Sequence, residues 1–272
     1  MTTSADTPPF RALADVLRAH AAARPGQTAL VQAGRSVTWS QLDAMADSVA
    51  ASLQRDGLKP TQRIAICGVN SLEYVAVFLG ALRAGVAVAP LPAGSLPEQI
   101  AGMVADSGAR HFFVDGGVAG FKTRARRIHL DGSGSPSLQA WLAPAGTRPE
   151  PVRTRPEWPF NIIYSSGTTG TPKGIVQSHA MRWMHVVRAA GYGYSADTVT
   201  LIATSLCSNT TLVCFFPTLF KGGCAVFGPP KFDAPACLSL AEKYRATHTM
   251  LVPVQYQRIM ALPDFDRYDL SS

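Results

Sequence analysis

Apolar residues recur at helical spacing over two early segments. From Arg11 to Arg24 they are Leu13, Val16, Leu17 and Ala21; from Ser40 to Leu53 they are Leu42, Met45, Ala46, Val49 and Leu53. Each set lays one apolar stripe along a helix. The run Arg63-Ile64-Ala65-Ile66-Cys67 is short and apolar, which predicts a buried strand. Ser71 then caps a helix running to Ala84, and Pro97 suits the first turn of a helix reaching about Asp106. His111-Phe112-Phe113-Val114 reads as a further strand. Helix and strand patterns that alternate in this way predict a parallel sheet covered by helices.

The pattern breaks between Asp131 and Pro159, where Gly132, Gly134, Pro136, Pro144, Pro149, Pro151 and Pro156 mark a surface connector. A second alternating series opens at Phe160. Its strands are expected at Val199 to Ala203, Gly223 to Phe227 and Thr247 to Val252, and its helices at Ser178 to Ala190, Asn209 to Phe220 and Asp233 to Tyr244. The reading is an α/β chain of two lobes: lobe one over 10–130, a connector over 131–159 and lobe two over 160–272. No short-period repeat is present.

Composition narrows the class. With 272 residues and 47% hydrophobic content the chain can bury a sizeable core. Its longest apolar runs, Tyr74 to Leu82 and Leu212 to Phe220, fall short of the ~18 residues of a membrane span. The start, Met1-Thr2-Thr3-Ser4-Ala5-Asp6, lacks the basic and apolar regions of a secretion signal, so a cytoplasmic location is expected. Cys67, Cys207, Cys214, Cys224 and Cys237 show no C-x-x-C pairing, which argues for reduced thiols and against a zinc site or a disulfide frame. The net charge of +7 is dispersed. Arg124, Arg126 and Arg127 form the one tight basic cluster, without interleaved aromatics, and read as a solvated face; nucleic acid is not expected as a partner.

The densest chemistry lies in Ser165-Ser166-Gly167-Thr168-Thr169-Gly170-Thr171-Pro172-Lys173-Gly174. Its glycines permit φ > 0, so successive N–H groups can converge on an anion. Its hydroxyls donate hydrogen bonds, and Lys173 adds a point charge for outer phosphates. A Walker A loop places Gly before Lys, Ser or Thr after it, and a helix next. Here Pro172 precedes Lys173, Gly174 follows, and Ile175-Val176 continue as a strand. The loop therefore reads as a hairpin between two short strands.

The stretch from Tyr164 to Gly174 resembles the signature of the adenylate-forming superfamily, which contains acyl-CoA synthetases, luciferases and the adenylation domains of peptide synthetases. Val37-Thr38-Trp39-Ser40-Gln41-Leu42, the segment Leu79 to Leu91, Lys231-Phe232-Asp233 and Thr247 to Pro253 are similar to further landmarks of that family, in its order. The resemblance runs from about Phe10 to Ser272 and implies part of an AMP-binding domain, an acyl-CoA synthetase-like large N-terminal domain whose two α/β lobes pack as an αβαβα sandwich. It implies a carboxylic or fatty acid, ATP, Mg²⁺ and CoA as reactants, with an acyl-adenylate intermediate. Adenylation for a carrier protein and a non-catalytic nucleotide-binding role stay open beside it.

The resemblance also distributes roles. Ser165, Ser166, Gly167, Thr168, Thr169, Gly170, Thr171 and Lys173 would bind the ATP phosphates. Ser205-Leu206-Cys207-Ser208-Asn209 matches a segment where many relatives carry an aromatic residue and then His; this chain has Cys207 and Ser208 there. Ser208 and Asn209 either donate to substrate or cap a helix. Val252, Pro253 and Tyr256 match acyl-pocket positions and equally suit core packing; His179 reads as structural. The family's Mg²⁺-holding Glu, ribose-binding Asp, hinge Arg and C-terminal catalytic Lys are not found before Ser272, so no catalytic residue is assigned and the metal ligand is expected beyond it. The 272 residues alone are expected to be inactive. The oligomeric state is left open.

Overall fold

The structure is a computed structural model that describes residues 8–118, 120–165 and 172–272. The chain opens with α1 (Leu13–Ala23), the hairpin β1 (Thr28–Gln32) and β2 (Arg35–Thr38), and α2 (Trp39–Arg55). Then come β3 (Arg63–Cys67), α3 (Leu72–Arg83), β4 (Ala87–Leu91), α4 (Pro97–Ser107), β5 (His111–Val114), β6 (Arg126–His129) and the short α5 (Leu138–Trp141). After the connector follow β7 (Pro159–Ser165), β8 (Lys173–Ser178), α6 (His179–Ala189), β9 (Val199–Ile202) and α7 (Asn209–Lys221). The chain finishes with β10 (Cys224–Phe227), α8 (Ala234–Lys243), β11 (His248–Thr249) and α9 (Pro253–Met260).

These strands form a six-stranded sheet, β6-β5-β3-β4-β7-β8, and a five-stranded sheet, β11-β9-β10-β1-β2. All neighbours are parallel except the hairpin partners β8 and β2. The period of two along each strand decides the layering. Ile64 and Ile66, Val88 and Phe113 face a core shared with Leu30, Ala225 and Phe227 of the other sheet and with α1, α2, α3 and α7. Ala65 and Cys67, Ala89 and Leu91, and Phe112 and Val114 face the opposite way, onto Ile100, Met103 and Val104 of α4. On the second sheet, Val31, Leu201 and Val226 turn outward to Cys237 of α8. The result is the αβαβα sandwich.

Aromatic rings join the sheets through the middle layer. Phe160 of β7 lies 6.0 Å from Phe78 of α3 and 4.8 Å from Phe216 of α7, centroid to centroid. Close helix contact needs Gly80, where a Cβ would stand 2.4 Å from Val49 Cβ and 2.9 Å from the Ala46 carbonyl oxygen. Gly85 ends the α3 turn at φ +70, a left-handed conformation that glycine adopts without strain.

Three features differ from the expectations. Hydrogen bonding does not divide at the connector: β1 and β2 complete the second sheet because Leu30 registers beside Ala225, while β7 extends the first because Asn161 registers beside Val88. The strand expected over Thr247 to Val252 is reduced to His248–Thr249, since Pro253 at the first turn of α9 suits a helix and cannot donate to a ladder. The basic cluster is partly built into the fold. Arg126 Nη1 donates to Asp56 Oδ2 at 2.7 Å, and the Arg127 guanidinium stacks on Phe112 and Phe121 at 5.5 and 5.0 Å.

Candidate active site

Residues just past the carboxyl ends of the parallel strands meet at one crevice. Val69 and Asn70 after β3, Pro92 to Gly94 after β4, Asp115 after β5, Ala203 to Ser205 after β9 and Pro230 after β10 line a cavity of about 500 Å³. Open α/β sheets bind ligands in this position. Asn70 ties the two sheets there: its Nδ2 donates to the Thr204 carbonyl at 2.8 Å, and its Oδ1 accepts from the Leu206 N–H at 2.8 Å. Asp115 accepts from the Val69 N–H at 2.6 Å, and burial pushes its carboxyl above the usual range. Neither residue was singled out from sequence, although each is a polar group directly beyond a buried strand.

The hairpin of β7 and β8 opens on the same side. β7 runs parallel to β4, so Ser165 leaves its strand at the end where Pro92 to Gly94 leave β4. Ser165 pairs with Lys173, the first residue of β8, and both are exposed. One strand ends at Ser165 and the next begins at Lys173, in contrast to the strand-to-helix turn of a Walker A site. Ser166, Gly167, Thr168, Thr169, Gly170 and Thr171 lie outside the described residues. Tyr164 anchors β7: its hydroxyl lies 2.6 Å from Asp106 Oδ2 and 3.1 Å from the Met103 carbonyl.

The segment Ser205 to Asn209 lies between crevice and helix. Ser205 and Cys207 line the cavity, and Thr211 Oγ1 donates to the Ser205 carbonyl at 2.6 Å. Ser208 is the N-cap of α7, accepting from the Thr210 N–H at 3.3 Å, and Asn209 Oδ1 accepts from Gln177 Nε2 of β8 at 3.3 Å. Burial pushes the Cys207 thiol up, the reverse of what a nucleophile needs. Cys67 and Cys214 are pushed up to about 12 and Cys224 to about 11 by the same cause, and all five cysteines are free.

The remaining candidates stand apart. Val252 caps α9, Pro253 opens it, and Tyr256 lines a separate apolar cavity of about 290 Å³ with Leu201, Leu238 and Ile259. That cavity shares no lining residue with the crevice. His179 is buried edge-on to Phe160 at 4.9 Å, and burial draws its imidazole down to about 4. Among the described residues no group of three or more His, Cys, Asp or Glu side chains is arranged to hold a metal, and no helix is long and apolar enough to cross a membrane.

The AMP-binding enzyme family matches residues 17–272, and the chain belongs to it. It is thereby a member of the adenylate-forming superfamily, which uses ATP and Mg²⁺. The chain is 30% identical over 276 residues to an indoleacetate–CoA ligase of Aromatoleum aromaticum, covering 96% of this chain and 53% of that protein. It is 28% identical over 251 residues to polyketide synthase PksN of Bacillus subtilis, covering 88% of this chain and 4% of that one. Its fold is similar to the N-terminal subdomain of Klebsiella oxytoca NpsA in complex with 3-hydroxyanthranilyl-AMSN, with TM-score 0.84 and 19% identity, covering 96% of this chain and 65% of that one. The chain thus spans about half the length of the ligase it matches.

Proposed function

We propose that the chain is the N-terminal part of an AMP-forming acyl-CoA synthetase. The observation that supports this most is the hairpin bearing Ser165 and Lys173, which opens beside a crevice at the strand ends. In this reading the backbone N–H groups and hydroxyls of Ser165 to Thr171 and the Lys173 ammonium hold the outer phosphates of ATP. The carboxylate of the substrate attacks the α-phosphorus and the bond to pyrophosphate breaks, leaving an acyl-adenylate. Such chemistry is mostly positioning and charge stabilisation, so no nucleophilic side chain is required. The raised thiols are consistent with that. The acyl group then passes to the thiol of CoA, with AMP leaving. A carrier-protein thiol is the second reading of this acceptor, favoured by the match to the fatty acid–[acyl-carrier-protein] ligase ScoC of Streptomyces coeruleorubidus.

Acid-dependent ATP–pyrophosphate exchange by the complete gene product tests the reading. Aromatic and arylalkyl acids come first, followed by fatty and amino acids; thioester analysis with CoA then distinguishes the acceptors. Lys173→Ala is expected to lower exchange by about 10²- to 10³-fold with an unchanged melting temperature, because the side chain is exposed. Unchanged exchange kinetics would remove Lys173 from the phosphate site.

A further inference from the structure

Helix α6 carries a buried cation without an anion. Arg182 is 1% exposed, and no ion pair among the described residues includes it. Its guanidinium is bound by neutral groups. Nε donates to Asn161 Oδ1 of β7 at 3.0 Å, Nη2 donates to Gln177 Oε1 of β8, and Nη1 lies 3.4 Å from His185 Nδ1. Phe160 and Phe216 flank it at 6.0 and 5.7 Å. Burial draws its pKa down to about 9, which leaves it protonated at neutral pH. An apolar side chain would fill the same space without the desolvation cost, so stability alone does not account for a charge here.

The bonds have a direction. Asn161 and Gln177 are cross-strand partners, so one planar guanidinium spans both strands of the hairpin that ends at Ser165 and Lys173. Gln177 Nε2 carries the chain of bonds onward to Asn209, the first residue of α7, directly after the segment that faces the crevice. We propose that Arg182 is a positioning residue: it fixes the phosphate-loop hairpin against the start of α7, and so fixes Lys173 relative to the Ser205–Asn209 wall of the crevice. The proposal rests on the adenylation reading given above. A lysine cannot reproduce it, because a point charge on a flexible stem lacks the fork that reaches two strands at once.

The test is exchange kinetics of Arg182→Lys and Arg182→Met in the complete gene product. A displacement on the order of 1 Å at reacting groups costs about 10²-fold in rate. Both variants should therefore lose about 100-fold in kcat while the KM for ATP moves less than about threefold. Melting temperature should shift by only about 2–4 °C. Near-normal kcat in Arg182→Lys, or a loss that follows melting temperature alone, overturns the proposal. If the Arg182 variants do not fold, Asn209→Ala cuts the last link from the edge of the core; a kcat loss of about tenfold supports the proposal and unchanged kcat overturns it. A wild-type protein without exchange on any acid defeats the adenylation reading instead. Hydrogen exchange then still reads the clamp: faster exchange at Ile163, Ile175 and Leu212 in Arg182→Lys supports it, and unchanged protection rejects it.

Discussion

Two buried arginines on the helices of this molecule are held in opposite ways. Arg83, the last residue of α3, donates to Asp43 Oδ1 at 2.5 Å, to Asp47 Oδ1 at 2.7 Å and to the Asp43 carbonyl at 2.7 Å. Both carboxylates belong to α2, so the charge is neutralised where two helices pack. Arg182 has comparable burial and, among the described residues, only neutral partners. The positions differ as well. Arg83 precedes the start of β4, the end remote from the crevice, whereas Arg182 bonds to both strands of the β7–β8 hairpin. The paired charge fastens the fold; on the proposal above, the charge at the hairpin base serves placement.

The largest expected effect comes from removing the paired arginine. Arg83→Met leaves Asp43 without its cation and Asp47 with only the exposed Arg18, and breaking such a buried pair costs about 3 kcal/mol. A urea-midpoint comparison should show this loss, with exchange activity per folded molecule unchanged. Arg182→Met strands no carboxylate and should cost less stability while costing far more activity. If Arg182→Met proves the more destabilising of the two, the contrast between staple and positioner is lost.

A smaller effect separates burial from pairing on α6 itself. His179 opens that helix, and its Nε2 is buried without a hydrogen-bond partner among the described residues. Its folded pKa, near 4, lies below the ordinary value of about 6.5. Between these values the unfolded chain binds the extra proton and the folded chain does not. The stability gained by keeping it neutral is therefore fully present above about pH 6.5 and is lost as the pH falls toward 4. His20, His111 and His185 are also drawn down by burial and add to the same slope. His179→Gln should flatten the fall of melting temperature across that window. An unchanged slope would mean that His179 is not desolvated, and would weaken the same argument for its neighbour Arg182.

Much of the frame was legible because local patterns and tertiary packing agree. The stripe Leu42, Met45, Ala46, Val49 and Leu53 became α2, and Arg63 to Cys67 became β3 at the predicted bounds. β6 was not legible, because Arg126-Arg127-Ile128-His129 carries a single apolar residue; its arginines are held by Asp56 and by aromatic faces that local sequence does not reveal. The exchange of hairpins between sheets was hidden for a related reason: strand pairing is set by which inner face closes the common core. For Ser165 to Lys173 an expectation could be formed locally, since the glycines, hydroxyls and lysine are adjacent in sequence. Asn70 and Asp115 meet only through folding, as do Arg182 and its partners Asn161 and Gln177, and a sequence cannot show that an arginine among histidines and aromatics has no carboxylate partner among the described residues.

The smallest predicted effect concerns the point where the Arg182 chain of bonds meets the crevice. Ser208 already accepts from the Thr210 N–H as the N-cap of α7, so its hydroxyl has a structural use next to Asn209. Losing a cap costs about 1 kcal/mol. Ser208→Ala should therefore lower the melting temperature by roughly 2–4 °C and leave exchange kcat within about twofold. A fall of tenfold or more at nearly unchanged stability would instead place that hydroxyl on the substrate. Wall and clamp would then act on the same atoms, and the loss in Arg182→Met would have to be reread as a displaced Ser208 as much as a displaced Lys173.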